Sequence, residues 1–206
     1  EYAVECINAG KSVHIEKPHV VSHEQLLALE TSMRRSPSTK VFLGFNRPMS
    51  SLFRNLKKHL DTQLGPVMIS WFIVGHQIPQ GHWYYDHDEG GRILGNLVHW
   101  TDMTLRLLPD DKIFPCRVIP APLEDSGSEF MVFLLFPDGS CASLAFSAKG
   151  DTFEGVRETL SLQRGNLIAR LSDFSELDIQ ISDKKYKKTP IFRDYGHKEN
   201  ITRAYC

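Results

Sequence analysis

The chain contains 206 residues, of which 41% are hydrophobic and 24% are charged, and its formal net charge at pH 7 is -1. This balance is typical of a soluble protein with one or two globular domains, and no apolar run is long enough to span a membrane. The four cysteines are scattered without a Cys-x-x-Cys spacing, so we expect reduced thiols in a cytoplasmic protein and no metal site.

The first elements alternate between helix and strand. Residues 2–10 have the apolar spacing of a helix that ends at Gly10, and residues 13–15 predict a short buried strand. Ser22 and Gln25 have the spacing of a capping box before a second helix, and residues 41–45 predict a second buried strand. The apolar residues of that second helix are Leu26, Leu27, Leu29 and Met33. Such alternation predicts part of an α/β domain.

Polar residues follow both predicted strands. Glu16, Lys17 and Pro18 come after the first, and Asn46 and Arg47 come after the second. Open α/β sheets bind ligands at the carboxyl ends of their strands, so the lysine at this edge is a candidate for chemistry, and a lysine in a solvated turn is the alternative. The second pair either faces the same cleft or forms a turn and a surface salt bridge.

The middle of the chain begins with an amphipathic helix and a strand. Residues 50–60 predict a helix that ends before Gly65-Pro66, and residues 67–74 predict the strand. The inward side of the helix is formed by Leu52, Phe53, Leu56 and Leu60. The loop 82–89 is aromatic and polar, which favours contact with a sugar over a metal site at His82, His87 and Asp88.

A further helix, in which the polar residues have an unusual spacing, follows Gly90-Gly91. Asn96, His99 and Asp102 recur every three residues, next to an apolar stripe that predicts the core-facing side. The stripe consists of Leu94, Leu97, Val98, Thr101, Leu105 and Leu108. His99 is either a functional group or a histidine satisfied at the border of a packed helix.

Beyond Lys112 the apolar period changes to two, which predicts a largely antiparallel sheet. The candidate strands lie near 113–119, 129–136, 140–147, 157–163, 167–171 and 176–181. Pro137-Asp138-Gly139 is a strong hairpin turn, and the run 130–136 is so apolar that it must be buried on both faces or covered by a partner. The lysine cluster 184–188 indicates a solvated edge or turn, and the net charge argues against nucleic acid as a partner.

These motifs together resemble the Gfo/Idh/MocA family of oxidoreductases, which includes glucose-fructose oxidoreductase and inositol dehydrogenase. The family has a Glu-Lys-Pro motif and a Gly-Gly segment before a helix with Asp-x-x-x-His-x-x-Asp. His99 and Asp102 match that helix, while the first aspartate falls on Gly95. The resemblance implies an α/β plus α+β fold: residues 1–46 would end a Rossmann-like domain, and residues 47–206 would form a domain with a large, mostly antiparallel open β-sheet and helices on one face.

The resemblance also implies a reaction. NAD or NADP would exchange a hydride with a hydroxyl or carbonyl of a sugar, a cyclitol or a related polyol. His99 would act as the base, because an imidazole titrates near the working pH, and Lys17 would stabilise negative charge on the substrate oxygen. Substrate would be bound or oriented by Asn96, Asp102, Trp83, Trp100 and Arg47, and cofactor would be contacted by Glu16, Lys17, Pro18 and Asn46. The sheet would form a homodimer or homotetramer.

One expected motif does not occur. The fourteen glycines include no pair two positions apart, so the chain has no Gly-x-Gly-x-x-Gly phosphate turn. We therefore expect the N-terminal part of the Rossmann domain to be absent, and the chain by itself to be inactive. A non-catalytic sugar- or nucleotide-sensing regulator of the same fold is the alternative, and Gly95 in place of an acidic residue favours it. The presence of both Lys17 and His99 favours an enzyme.

Overall fold

A small parallel sheet and a large sheet organise the chain in this computed structural model. The structure describes residues 1–79, 81–86, 88–121, 129–150 and 155–205, without the side chains of Trp83 and Tyr205. The small sheet pairs β1 (Val13–Ile15) with β2 (Val41–Leu43) in parallel, and the flanking helices are α1 (Tyr2–Asn8) and α2 (His23–Arg35).

Local signals define the ends of both small-domain helices as predicted. Gly10 has a φ of +72°, and the bonds from its N–H to Ile7 and from the Lys11 N–H to Cys6 complete a Schellman motif after α1. At the start of α2, the Ser22 hydroxyl accepts from the Gln25 N–H at 3.2 Å. The Gln25 side chain returns a bond to the preceding N–H, that of Val21, at 2.9 Å.

The expectation that β1 and β2 are buried strands is wrong for these residues. Their side chains are half-buried, and Leu43 is exposed. In α2, Leu29 is buried, but Leu26, Leu27 and Met33 are exposed. The reason is geometric: a two-stranded sheet offers too little surface to cover the apolar sides of two helices, and no other described strand extends it.

The large sheet has eight strands in the order β10-β9-β8-β7-β3-β6-β5-β4. The elements are α3 (Ser51–Leu60), β3 (Val67–Val74), α4 (Val98–Leu107), β4 (Arg117–Pro120), β5 (Glu129–Leu135), β6 (Cys141–Ser147), β7 (Arg157–Arg164), β8 (Leu167–Ser172), β9 (Glu176–Ile181), β10 (Lys184–Lys188) and α5 (His197–Tyr205). Every pairing is antiparallel except β3 with β6, where Met68 lies opposite Cys141. The predicted fold class is confirmed, and the division after residue 46 remains a prediction.

Helices cover one face of this sheet. The four residues predicted to face inward from α3 are all buried, together with the alternate residues of β3, including Trp71. The turn at Pro137-Asp138-Gly139 joins β5 to β6 as predicted, with Gly139 at a φ of +88°. The strand expected near 113–119 begins only at Arg117, and the lysine cluster forms the exposed edge strand β10.

The other face of the sheet is open and apolar. In β5, Phe130, Val132 and Leu134 are buried, whereas Met131, Phe133 and Leu135 are exposed. The run is therefore not buried on both faces within this chain. Phe133 and Leu135 line a shallow cavity of about 830 Å³ with residues of β3, β6, β7 and β8.

In the described residues, no helix combines the length and apolarity needed to cross a bilayer.

Candidate active site

The fold brings Lys17 to the helical segment that carries Asn96, His99 and Asp102. Lys17 follows β1 directly, and its Nζ donates to the main-chain oxygen of Gly95 at 2.7 Å. It also lies 3.3 Å from the hydroxyl of Tyr84, which donates to Oδ1 of Asn96 at 3.1 Å. Two segments that are 78 residues apart in sequence therefore meet at one ammonium group.

Tyr84 occupies the space beside Gly95. A Cβ at position 95 would lie 2.6 Å from Cε1 of Tyr84, closer than non-bonded atoms approach each other. The aromatic ring thus stands where a side chain of residue 95 would begin, and an acidic residue there would displace it. Our sequence reasoning missed Tyr84, because nothing local connects an aromatic loop residue to a glycine eleven positions later.

The prediction of which side of the helix with Asn96, His99 and Asp102 faces the core is wrong. A π-helical segment, Ile93–Leu97, precedes α4, and its wider turn changes the side that faces the core. Most of the predicted stripe is half-buried, and the buried residues of α4 are His99, Trp100, Met103, Thr104 and Leu107. Long-range bonds hold this orientation, because Trp100 Nε1 donates to Glu158 at 2.6 Å and Trp71 Nε1 donates to Thr104 at 3.0 Å.

His99 is a buried imidazole, and one of its ring nitrogens has no hydrogen-bond partner among the described residues. Its side of α4 faces the interior, it is 8% exposed, and Nδ1 has no hydrogen-bond partner among the described residues. The pKa of His99 is lowered to about 2. Burial is the largest cause, and the positive charges of Arg47 and Lys17 lower the pKa further. The imidazole is therefore neutral at physiological pH.

Asp102 is bound to its own helix. Its carboxylate accepts from Nε of Arg106 at 3.0 and 2.9 Å, and no described bond joins it to His99. Burial raises the pKa of Asp102, and Arg106 opposes this shift. A cation four residues along the helix thus provides the partner of this carboxylate, and the orientation of substrate by Asp102 remains a prediction.

Asn46 and Arg47 belong to a buried network. Nδ2 of Asn46 donates to the main-chain oxygen of Tyr195 at 2.8 Å. Nε of Arg47 donates to both carboxylate oxygens of Glu158 at 2.9 and 3.1 Å, and its guanidinium lies over the rings of Trp100 and Tyr195. The salt bridge of Arg47 is therefore buried and not on the surface, and its contact with substrate remains a prediction. Trp100 is 1% exposed, so its side chain is packed in the core and has almost no surface that could line a pocket.

The remaining predicted residues differ in what the structure says of them. Glu16 is exposed, and its carboxylate lies against Gly44, while Pro18 is half-buried. Trp83 lies in the 3-10 turn Trp83–Tyr85, but its side chain is outside the described residues, as is His87. Within the described ranges, no three histidine, cysteine, aspartate or glutamate side chains form a group that could hold a metal ion.

Comparisons with known proteins support the fold. Neither a protein-family model nor a curated protein matches this sequence. Levoglucosan dehydrogenase, solved with NADH and levoglucosan, matches with a TM-score of 0.79 and 14% identity over 98% of this chain and 65% of that one. Aldose-aldose oxidoreductase from Caulobacter crescentus, solved with glycerol, gives 0.76 and 13% over 100% and 64%. A dehydrogenase from Chromobacterium violaceum gives 0.80 and 15% over 97% and 61%.

These similarities define the architecture and the extent of the match. The chain spans 61% to 65% of the length of these three structures. At 13% to 15% identity the comparison establishes the fold, and activity is a separate question. The motifs, the strand order and the solved structures agree: the chain has the fold of oxidoreductases of the Gfo/Idh/MocA type.

Proposed function

We propose that the protein carrying this chain is an NAD(P)-dependent oxidoreductase that acts on a hydroxyl or carbonyl of a sugar, a cyclitol or a related polyol. The observation that carries this proposal is the bond from Lys17 to Gly95, which joins the Glu-Lys-Pro motif to the helix of His99. Two structures of the same fold support the chemistry: levoglucosan dehydrogenase was solved with NADH and levoglucosan, and the second is an aldose-aldose oxidoreductase.

The residues fit the nicotinamide end of such a cofactor. Three groups lie near the carboxyl end of the small sheet: the ammonium of Lys17, Nδ1 of His99 and Nε2 of His19. Both ring nitrogens are buried without a partner in the described part of the chain, and both imidazoles contact Phe45, which follows β2. When bound, the cofactor would supply or accept the hydride. The chain contains no glycine-rich phosphate turn, so these residues suit the nicotinamide ring and not the pyrophosphate.

Lys17 and His99 would share the substrate oxygen. The ammonium donates a hydrogen bond and stabilises negative charge as it develops on that oxygen. The neutral imidazole accepts a hydrogen bond from a substrate hydroxyl. A full proton on His99 is costly here, because the ring is buried and its neighbours Arg47 and Lys17 are positive.

Further contacts complete the proposed site. Asn96 faces the same cluster through Tyr84, so it is the substrate-orienting residue that the geometry supports best. Glu16, Pro18 and Asn46 remain proposed neighbours of the cofactor, and Trp83 a proposed neighbour of the sugar. We further propose a cytoplasmic homodimer or homotetramer in which the open face of the large sheet is covered.

A non-catalytic sugar-binding regulator is the second candidate. Gly95 removes the acidic residue of the family pattern, and the lowered pKa of His99 makes this imidazole a weak base. A regulator would bind nucleotide or sugar without turnover, so a measurement of turnover separates the two functions.

The test uses the full-length protein and follows reduced nicotinamide by absorbance. Aldoses, levoglucosan, glycerol and myo-inositol are each offered with NAD and with NADP. We expect turnover with at least one pair, and Lys17→Ala should lower kcat about 10²- to 10³-fold, as expected for loss of one charged donor at the reacting oxygen. Lys11→Ala is the matched control, because Lys11 is exposed. Absence of turnover with every pair, or equal effects of the two variants, would contradict the proposal.

A further inference from the structure

The phenol of Tyr84 lies beside the ammonium of the proposed site. We propose that Tyr84 is a further catalytic residue, whose hydroxyl exchanges a proton with the substrate oxygen held by Lys17. This inference rests on the proposed oxidoreductase function and names the group that handles the proton.

Position is the first argument. Nζ of Lys17 and Oη of Tyr84 are 3.3 Å apart, so a substrate oxygen that accepts from the ammonium on this side also lies within reach of the phenol. The ammonium has three donors, and Gly95 O and Tyr84 Oη account for two of them. Two further bonds fix the tyrosine, because Oη donates to Asn96 at 3.1 Å and the main-chain N–H of Tyr84 donates to Nδ1 of His82 at 3.2 Å.

Charge is the second argument. The Tyr84 ring is flanked by the ammonium of Lys17, 5.8 Å from its centroid, and by the guanidinium of Arg92, at 5.9 Å. Arg92 is 6% exposed and also lies over the ring of Phe146. Its Nη2 donates to the main-chain oxygen of His76, and no carboxylate pairs with it in the described residues. Two cations without a described counter-ion therefore lie beside the ring whose hydroxyl we assign to the proton transfer.

The unusual Gly95 is the third argument. Only a residue without Cβ allows the Tyr84 ring to lie 2.6 Å from where that Cβ would be. The same glycine offers its main-chain oxygen to Lys17. Position 95 therefore serves the lysine–tyrosine pair, and the carboxylate of the family pattern is replaced by a phenol from another segment.

The proton step balances with the hydride that the cofactor would supply or accept when bound, and with a proton from water. In reduction, the carbonyl carbon gains the hydride, the π bond to oxygen breaks, and that oxygen takes the proton of Tyr84 Oη. The phenolate, beside the ammonium of Lys17, then takes a proton from water. In oxidation the phenolate accepts the substrate hydroxyl proton as the carbonyl forms. His99 stays neutral throughout and accepts a hydrogen bond.

The test compares three variants of the full-length protein on the best substrate of the panel above. Tyr84→Phe removes only the hydroxyl and should lower kcat about 10²- to 10³-fold, with little change in KM. Tyr85→Phe is the matched control, since Tyr85 is exposed and lies next in the chain, and it should stay within about twofold of wild type. Gly95→Ala keeps the phenol but pushes the ring away, so it should lower kcat as Tyr84→Phe does.

A measurement without cofactor accompanies the kinetics. The ¹³Cζ resonance of Tyr84, assigned by its loss in Tyr84→Phe, should shift in Lys17→Met, and it should shift in wild type when the substrate is added alone. If Tyr84→Phe does not fold, unchanged turnover in Gly95→Ala overturns the inference. If Tyr84→Phe turns over as fast as Tyr85→Phe while Lys17→Ala is impaired, the catalytic role of Tyr84 is overturned and the proposed oxidoreductase function stands. No turnover by the wild type overturns the proposed function and this inference together.

Discussion

Replacing Arg47 by methionine should destabilise the protein strongly, because it leaves the buried carboxylate of Glu158 without a counter-charge. The Glu158 side chain is 1% exposed and receives two bonds from Nε of Arg47, at 2.9 and 3.1 Å. The described side-chain donor that would remain is Nε1 of Trp100, at 2.6 Å. Methionine has nearly the length of the arginine stem, so the substitution removes charge and hydrogen bonds rather than volume.

The expected cost follows from this burial. Removing one partner of a buried ion pair typically costs about 3–5 kcal/mol, because the remaining charge has lost both water and its counter-ion. A second substitution should recover part of this loss. Glu158→Gln in the Arg47→Met background removes the uncompensated charge and still offers an oxygen to the indole of Trp100. We expect the double variant to be more stable than Arg47→Met by at least about 1 kcal/mol.

Urea unfolding of the full-length protein, followed by tryptophan fluorescence, measures these differences. The matched control is Arg34→Met, which breaks the exposed pair of Arg34 with Glu30, at 3.5 Å on one helix, and should cost no more than about 0.5 kcal/mol. If Arg47→Met loses no more free energy of unfolding than Arg34→Met, or if the double variant is the least stable of all, the reasoning about the buried pair is wrong.

Three further predictions concern titration, assembly and a close backbone contact. The lowered pKa of His99, about 2 against an ordinary value of 6.5, means that the unfolded chain binds the proton first, so its contribution is present above pH 6.5 and is lost as pH falls below it. His99→Gln should remove about 2–3 kcal/mol of the loss seen between pH 7 and pH 4.5 in urea titrations, and an unchanged pH dependence would contradict this. Phe133→Glu should shift sedimentation toward the monomer, while Leu64→Glu, at a loop residue outside the sheet that is 87% exposed against 41% for Phe133, does not; a wild-type protein that is monomeric at high concentration would rule out the open face as an interface. Gly196→Ala should cost about 3 kcal/mol or more, because φ is +81° and the new Cβ would clash with the main-chain oxygen of Asn46. In Gly150→Ala the new Cβ meets no atom within 4 Å, so this variant should unfold at nearly the wild-type urea concentration.

Features with a local cause were predictable from the sequence. The Schellman motif at Gly10, the capping bond of Ser22 and the hairpin at Pro137-Asp138-Gly139 each depend on residues within a few positions of one another. The period-two strands beyond Lys112 were predictable for a related reason, since one face of each strand must pack against the same helices. Matching motifs at Lys17 and His99 then identified the fold.

Only the tertiary structure decided the orientation of α4 and the composition of the site. Hydrophobic spacing placed the wrong side of α4 inward, because the π-helical segment and the bond from Trp100 to Glu158, 58 residues away, turn the helix. The same long-range network pairs Arg47 with Glu158, 111 residues away. Tyr84 became a partner of Lys17 because position 95 has no Cβ, a fact of space that no spacing rule contains. Local sequence determines where elements begin and end, and packing between distant segments determines which side chains meet.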